Sequence, residues 1–172
     1  MEFRKAEMKD VETILEIVQA AITLLAKQGS PQWQNGFGPD RKRIVEDIKN
    51  GWAYVLVKGQ VVAYAALVAG IDPIYTAIYD GHWLGDGKYL SIHRVAVDQN
   101  QNGQGLATRL LQALLKRAVE LSYFDVRIDT HKKNIGMQKA SLKAGFEYRG
   151  QIKFPYKYGE RNAYQILLNH EK

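Results

Sequence analysis

Cysteine is absent from the 172-residue sequence, and several familiar site patterns are absent with it. A chain without thiols can form neither a disulfide nor a thiolate metal site. No spacing of His, Asp and Glu is typical of a metal site either, so no metal ion is expected. The Gly-x-Ser-x-Gly motif of serine nucleophiles is also missing, which argues against a covalent acyl-enzyme.

Long apolar runs and dense charge clusters are missing too. The longest apolar run, residues 61–71, is too short to span a bilayer, and the charged first ten residues lack the apolar block of a signal peptide. We therefore expect a cytoplasmic protein with no membrane partner. Lys and Arg outnumber Asp and Glu by 24 to 18, which favours anionic ligands, but their scatter predicts no nucleic-acid partner.

The residues that are present predict one domain over residues 1–172, of mixed α/β class. Hydrophobic residues make up 46% of the chain, which is ordinary for a globular protein, and no internal repeat or domain boundary is visible. Apolar spacing predicts helices over residues 11–28, 40–50, 105–121 and 134–144. Strands are predicted over residues 2–6, 52–69 (two strands joined across Gly59), 88–97, 124–130, 146–152 and 161–169. The order β-α-α-β-β-β-α-β-α-β-β describes a mixed sheet with helices on both faces.

The segment VAVDQNQNGQGLATRLLQALL, from Val95 to Leu115, joins a predicted strand to a predicted helix through two glycines. The first amides of a helix have no internal partner and lie at the positive end of its dipole. Gly103 and Gly105 have no Cβ atom that would keep a ligand away from those amides. The junction therefore predicts a cradle for a phosphate or pyrophosphate, although glycines that only serve a tight turn would give the same pattern.

A dinucleotide-binding fold is one interpretation of this cradle. Asp129 ends the next predicted strand, roughly where an acid that binds ribose would lie. However, Thr108 occupies the place of the third glycine of Gly-x-Gly-x-x-Gly, and the insert DQNQN separates the strand from the glycines. The unit also begins past the middle of the chain, which leaves too little sequence for the usual nicotinamide-binding halves. The dinucleotide interpretation is therefore disfavoured.

The same segment resembles the acetyl-CoA signature of the GNAT superfamily of N-acetyltransferases: Val-x-Val, a polar insert, then Arg/Gln-x-x-Gly-x-Gly/Ala. Five residues match its strand and its two small positions: Val95, Ala96, Val97, Gly105 and Ala107. Asn102 stands where Arg or Gln is usual. A second segment, NIGMQKASLKAGF over residues 134–146, is similar to the family's Asn-x-x-Ala/Met helix that ends in Gly-Phe. The predicted element order also agrees with the family's fold.

The resemblance implies a GNAT-like fold, with a mostly antiparallel sheet splayed between two strands, and acetyl-CoA as cosubstrate. It implies that the main chain of one splayed strand and the amides of the glycine loop hold the cofactor: Val95, Ala96, Val97, Asn102, Gly103, Gln104, Gly105, Leu106, Ala107 and Thr108. Asn134 is implied as a side-chain contact to the cofactor. It is equally a plain N-cap of its helix, and the two roles can coexist.

Transfer of an acetyl group to an amine needs a base, because a free alkylamine is mostly protonated near neutral pH. His93 is the first candidate, since strand alternation places it on the same face as Ser91 and Val95 and its pKa suits the task. A structural hydrogen bond is the alternative role for His93, and His131 is the reserve base.

The sequence departs most from the family at the position of the general acid. In the family, the helix of the second segment often carries a tyrosine that protonates the departing thiolate. Ser141 occupies that position and would act only weakly or through water. Tyr156 and Tyr158, in the late loop KFPYKYGER, are alternative phenols or ordinary loop aromatics.

These features predict an N-acetyltransferase that moves the acetyl group of acetyl-CoA to a primary amine by direct attack in a ternary complex. The acceptor would be a small molecule or a peptide. Ser141 keeps a second hypothesis open, a catalytically weak acyl-CoA-binding regulatory module. The aromatic residues of Trp33–Phe37 and of the Pro73–Trp83 loop would line the acceptor site, or else pack a dimer interface or the core. Dimers are common among similar proteins, so a homodimer is a further hypothesis, by analogy only.

Overall fold

The structure is a computed structural model that describes residues 1–101 and 103–169. Within these residues the chain forms seven strands: β1 (Glu2–Lys5), β2 (Ala53–Lys58), β3 (Gln60–Ala69), β4 (Leu90–Val97), β5 (Asp125–Thr130), β6 (Glu147–Lys153) and β7 (Glu160–Leu167). It also forms four α-helices: α1 (Val11–Lys27), α2 (Arg41–Lys49), α3 (Leu106–Glu120) and α4 (Ile135–Lys143). The predicted element order is confirmed.

The strands form one sheet in the order β1-β2-β3-β4-β5-β7-β6. Neighbouring strands are antiparallel except for β4 and β5, which run parallel. The ladder between β4 and β5 is short and joins only residues 90–92 to residues 126–128. Beyond this ladder β4 continues to Val97 without β5 as a neighbour, so the sheet splays open there, as the resemblance implies.

Helices cover both faces of the sheet, which confirms the predicted layers. On one face α3 and α4 enclose a core in which Leu110 and Leu114 are fully buried. On the other face α1 and α2 bury Ile14, Val18 and Ile44. Their spacing of three or four residues puts these side chains on the sheet-facing side of each helix. Strands β2 and β3 are buried on both faces, as their nearly continuous apolar runs predict.

A β-bulge interrupts β4 at Arg94. Two residues of β4, Arg94 and Val95, oppose the single residue Ala65 of β3. Arg94 has a φ of 58°, in the left-handed region that costs a non-glycine residue about 1–2 kcal/mol. The bulge lies just beyond the last residue of β4 that pairs with β5, so the strand bends where the sheet opens.

The bulge reverses the alternation of faces along β4. Before it, Ile92 points to the α3 side and His93 to the α1 and α2 side; after it, Val95 points to the α3 side. The expectation that His93 and Val95 share one face is therefore wrong. Strand alternation holds only while the strand is unbroken, and the additional residue shifts every following side chain to the opposite face.

Candidate active site

A cavity of about 730 Å³ opens where β4 separates from β5. Its walls come from the loop after α1, from α2, from the ends of β3 and β5, from the start of α4 and from the loop between β6 and β7. His93 lines this cavity, and so do Val95, Asn134 and Tyr156, all of which were singled out in the sequence. The cavity thus brings together residues that are far apart in the sequence.

His93 forms a hydrogen-bonded pair with Asp72, whose Oδ2 atom lies 2.8 Å from His93 Nε2. Because an ionised carboxylate only accepts hydrogen bonds, Nε2 carries the hydrogen of the neutral imidazole and Nδ1 is left as the basic atom. Burial by itself raises the pKa of Asp72, but the hydrogen bond from His93 and the nearby positive charges outweigh burial and hold that pKa below its usual range. Asp72 is also fixed through Oδ1, which accepts the Ile74 N–H at 2.9 Å.

A second carboxyl group, that of Asp129, lies at the end of β5 in the same cavity. Its Oδ1 accepts a hydrogen bond from the Tyr75 hydroxyl at 3.3 Å, and the Tyr75 ring lies 5.9 Å from the His93 ring. Burial raises the pKa of Asp129 above its usual value, although the charges of His93 and Arg161 oppose that rise. Two acids and one imidazole therefore face one space.

Tyr156 supplies a phenol to the cavity. Its ring stacks on Phe37 at 4.0 Å and on Phe154 at 5.5 Å between ring centroids. Burial raises the pKa of Tyr156, so its hydroxyl keeps its proton at neutral pH. Tyr158, the other phenol considered, is 57% exposed and lies outside the cavity wall.

Ser141 and His131 lie outside the cavity wall that the described residues form. Ser141 is fully buried in α4, where its Oγ donates a hydrogen bond to the Met137 carbonyl at 2.8 Å. His131 is buried as well, and its Nδ1 accepts the Lys133 N–H at 3.1 Å. Burial lowers the pKa of His131. Both side chains are therefore committed to local backbone contacts.

The glycine loop before α3 has left-handed backbone at both of its glycines. Gly103 and Gly105 have φ values of 79° and 64°, and no atom lies within 4 Å of the position a Cβ would take at either residue. The first intrahelical bond of α3 runs from the Arg109 N–H to the Gly105 carbonyl at 3.0 Å. Three amides precede this bond at the helix start: those of Leu106, Ala107 and Thr108.

Positive side chains stand beside this loop. A cavity of about 450 Å³ is bounded by Gly103, Gln104, Lys58 and Arg109. Lys58 Nζ donates to Gln104 Oε1 at 2.9 Å. Open amides next to two cations form a site for an anion such as a diphosphate. Asn102 lies outside the described residues.

Comparison with known proteins agrees with this geometry. The sequence matches the Acetyltransferase (GNAT) family over residues 18–146. This chain belongs to the GNAT acetyltransferase family. A solved GNAT-family acetyltransferase from Streptococcus agalactiae is 37% identical, with a TM-score of 0.89 over 98% of this chain and 95% of that chain.

More distant solved structures share the fold. A ribosomal-protein-alanine N-acetyltransferase from Brucella melitensis is 22% identical, with a TM-score of 0.70 over 98% of this chain and 100% of that one. The Salmonella typhimurium protein yncA, solved with its cofactor acetyl-CoA, is 17% identical, with a TM-score of 0.69 over 99% of this chain and 95% of that one. A comparison with curated proteins finds no match.

As a GNAT acetyltransferase, the chain uses acetyl-CoA as cosubstrate. The open edge of β4 and the glycine loop fit that molecule, because one offers unpaired backbone and the other offers free amides with positive charge. Asn134 caps α4, its Oδ1 accepting the Met137 N–H at 3.2 Å, and it also lines the cavity. The Ala96 side chain is buried on the α1 and α2 face, its backbone is paired with Tyr64 of β3, and the residue lies outside the cavity wall.

The described residues contain neither a potential cluster of metal ligands nor a helix that could span a membrane. In residues 1–101 and 103–169, no three His, Asp or Glu side chains cluster as metal ligands would. Over the same residues, no helix has the length and apolar character needed to cross a bilayer.

Three charged groups line the cavity but were not predicted from the sequence as parts of an amine-acetylating site. Asp72 lies in a loop and Arg161 at the start of β7, and neither belongs to a motif. Asp129 was noted only as a ribose ligand of the disfavoured dinucleotide fold. Its place at the end of a strand beside the splay was the one signal available.

Proposed function

We propose that this GNAT acetyltransferase transfers the acetyl group of acetyl-CoA to a primary amine by direct attack in one ternary complex, with His93 as the base. The observation that carries the proposal is the 2.8 Å pair of His93 and Asp72 in the cavity wall, beside the point where β4 leaves β5. Bound acetyl-CoA supplies an activated acetyl thioester.

The cofactor is held mainly by backbone in this proposal. The main chain of Val95 and Val97 offers hydrogen-bonding groups on the open edge of β4, whereas Ala96 between them is paired with Tyr64 of β3. The glycine loop and helix start bind the diphosphate through the amides of the predicted set: Asn102, Gly103, Gln104, Gly105, Leu106, Ala107 and Thr108. Lys58 and Arg109 add positive charge beside that loop, and Asn134 adds an amide side chain at the cavity.

His93 takes a proton from the acceptor ammonium at Nδ1. Asp72 holds the Nε2–H tautomer that leaves Nδ1 free, and its charge stabilises the imidazolium that forms. Asp129 presents a further carboxyl group that attracts the positively charged amine into the cavity. Asp72 is therefore a positioning residue, whereas His93 is a catalytic one.

We assign the acid to Tyr156 rather than to Ser141. Tyr156 lines the cavity and its phenol stays protonated, while the Ser141 hydroxyl donates a hydrogen bond to the Met137 carbonyl. Tyr156 holds a proton at its phenol oxygen that can pass to the leaving group. The absence of the family's tyrosine from α4 is therefore compatible with catalysis, which counts against an inert acyl-CoA-binding module.

The proposal is tested by release of CoA from acetyl-CoA with a panel of primary amines, measured with wild type and with His93→Ala. Loss of a base costs about 10²- to 10⁴-fold in kcat, and the loss should be greater at lower pH, where less amine is deprotonated. Intersecting rather than parallel double-reciprocal plots would support a ternary complex. An unchanged pH profile in His93→Ala would refute the assignment of the base. Acetyl-CoA binding without any turnover would instead support the regulatory module.

A further inference from the structure

Arg161 is a buried cation that the chemistry proposed above does not use. The residue is 4% exposed and lines the active-site cavity. Its Nη1 donates to the carbonyls of Tyr158 and Glu160, at 2.9 and 2.8 Å. The guanidinium also lies over the Phe154 ring, at 5.4 Å from the centroid.

In the described part of the chain, no carboxylate forms an ion pair with Arg161, although other arginines there have such partners: Arg4, Arg41, Arg43, Arg94, Arg117, Arg127 and Arg149. The Nε and Nη2 atoms of Arg161 make no hydrogen bond to described residues. Among described side-chain atoms, the only polar atom both sealed from solvent and without a hydrogen bond is Ser91 Oγ, so Nε and Nη2 of this cavity-lining residue are not sealed from solvent.

A buried cation without a counter-ion is costly, and a planar guanidinium with two free donors matches an oxyanion. The field of this charge reaches the neighbouring groups, because it opposes the burial-driven rise in the pKa of both Asp129 and Tyr156. The cavity wall therefore presents Arg161, which has no ion-pair partner among described residues, and the carboxyl groups of Asp72 and Asp129. Other charged residues also line the wall, and two of the arginines among them are paired with carboxylates: Arg43 with Glu46 and Arg94 with Asp47. That pattern complements a ligand that carries both an ammonium and an anion.

Resting on the proposed amine acetylation, we propose that Arg161 binds an oxyanion of the acceptor while the acceptor's amine lies towards Asp129 and the His93–Asp72 pair. The acceptor class is then an amine that carries a carboxylate or a similar oxyanion, as an amino acid does. Arg161 sets acceptor specificity and takes no part in proton transfer.

A purely structural role is the competing explanation, in which Arg161 only clamps the loop before β7. The bonds to Tyr158 and Glu160 show that it does hold this loop. Those bonds use only Nη1, however, and they do not explain why Nε and Nη2 of a cavity-lining arginine lack a partner. A structural arginine predicts no discrimination between charged and neutral acceptors, which separates the two explanations.

The test compares α-amino acids with their carboxamides, matched in side chain, as acceptors in the CoA-release assay. Wild type should prefer the acid by roughly 10- to 100-fold in kcat/KM, expressed mainly in the acceptor KM. Arg161→Gln should remove this preference, and Arg161→Lys should keep part of it. Arg117→Gln is the matched control, because Arg117 lies on α3 paired with Glu120, and it should keep the full preference.

Calorimetric binding of the same acids and carboxamides to the CoA-loaded protein separates the two proposals. If neither class is acetylated but the acids bind more tightly through Arg161, the proposed function fails, whereas binding of an oxyanion by Arg161 is supported. Equal acetylation of acids and carboxamides by wild type, or a preference that survives Arg161→Gln, overturns the inference and leaves the function intact. If Arg161→Gln does not fold, the inference is tested by two other results: the preference of wild type for acids over carboxamides, and the part of that preference that Arg161→Lys keeps.

Discussion

Asp47 binds the guanidinium of Arg94 through both of its carboxylate oxygens, at 2.7 and 2.8 Å. Asp47 is fully buried in α2 and also accepts a hydrogen bond from the Tyr64 hydroxyl. Arg94 is the residue whose left-handed backbone breaks β4. The ion pair therefore fastens α2 to the bulge that opens the sheet, and it offsets the conformational cost at Arg94.

Arg94→Ala should destabilise the protein by about 3–5 kcal/mol, because it leaves the carboxylate of Asp47 buried without its partner. Arg94→Gly also loses the ion pair, but glycine adopts a positive φ freely, so it should be more stable than Arg94→Ala by about 1 kcal/mol. Urea unfolding of both variants measures the two effects. Equal stability of the two variants would mean that the bulge collapses once the anchor is lost.

Gly105→Val should abolish the rise in melting temperature that acetyl-CoA gives the wild type. A β-branched side chain is strained at a φ of 64° and occupies the open space in front of the free amides. Gly85→Val is the matched control, since Gly85 has a φ of 77° and equally open surroundings in a different loop. Both variants should lose stability, and only the control should retain the acetyl-CoA shift. A full shift in Gly105→Val would rule out the cradle.

Tyr156→Phe should lower kcat by about tenfold or more while leaving the KM for acetyl-CoA near its wild-type value. Phenylalanine keeps the stack on Phe37 and removes only the hydroxyl that holds the proton. Ser141→Ala is the paired comparison and should leave kcat unchanged, because the Ser141 hydroxyl is occupied within α4. Steady-state CoA release measures both. A lower kcat in Ser141→Ala together with an unchanged kcat in Tyr156→Phe would identify Ser141 as the general acid.

Asp129→Asn should lower activity and yet stabilise the protein at neutral pH. The pKa of Asp129 is raised in the folded state, so the wild type loses stability as the pH rises through that value, whereas asparagine does not titrate. Below about pH 4 the carboxyl is protonated in both folded and unfolded chains, and the pH-dependent gain disappears. Urea unfolding at about pH 3 and pH 8 measures the gain in the free energy of unfolding at each pH. A gain of the same size at both pH values would contradict the raised pKa.

The element order and the glycine loop follow from local sequence. Apolar spacing along α1 and α3 sets which face is buried, and Gly105 at the N-cap of α3 has a left-handed backbone that glycine adopts without strain. The bulge at Arg94 does not follow from local sequence, because its stability depends on Asp47, which lies 47 residues earlier. The position of His93 was misjudged for the same reason.

The charges of the acceptor pocket were beyond local prediction as well. Asp129 and Arg161 are brought close by the pairing of β5 with β7, and Asp72 reaches His93 only through the loop after β3. Nothing within a few residues of any of these groups indicates its partner. The cap of α4 by Asn134, in contrast, is a contact over three residues and could be predicted.

The seam between β4 and β5 divides the sheet into two leaves, β1 to β4 on one side and β5, β7 and β6 on the other. Only three pairs of residues connect β4 to β5 and so join the two parts of the sheet. A molecule lying in the gap would touch both leaves and supply hydrogen bonds that the seam lacks. We therefore expect a bound ligand to stiffen the sheet along the line between β4 and β5.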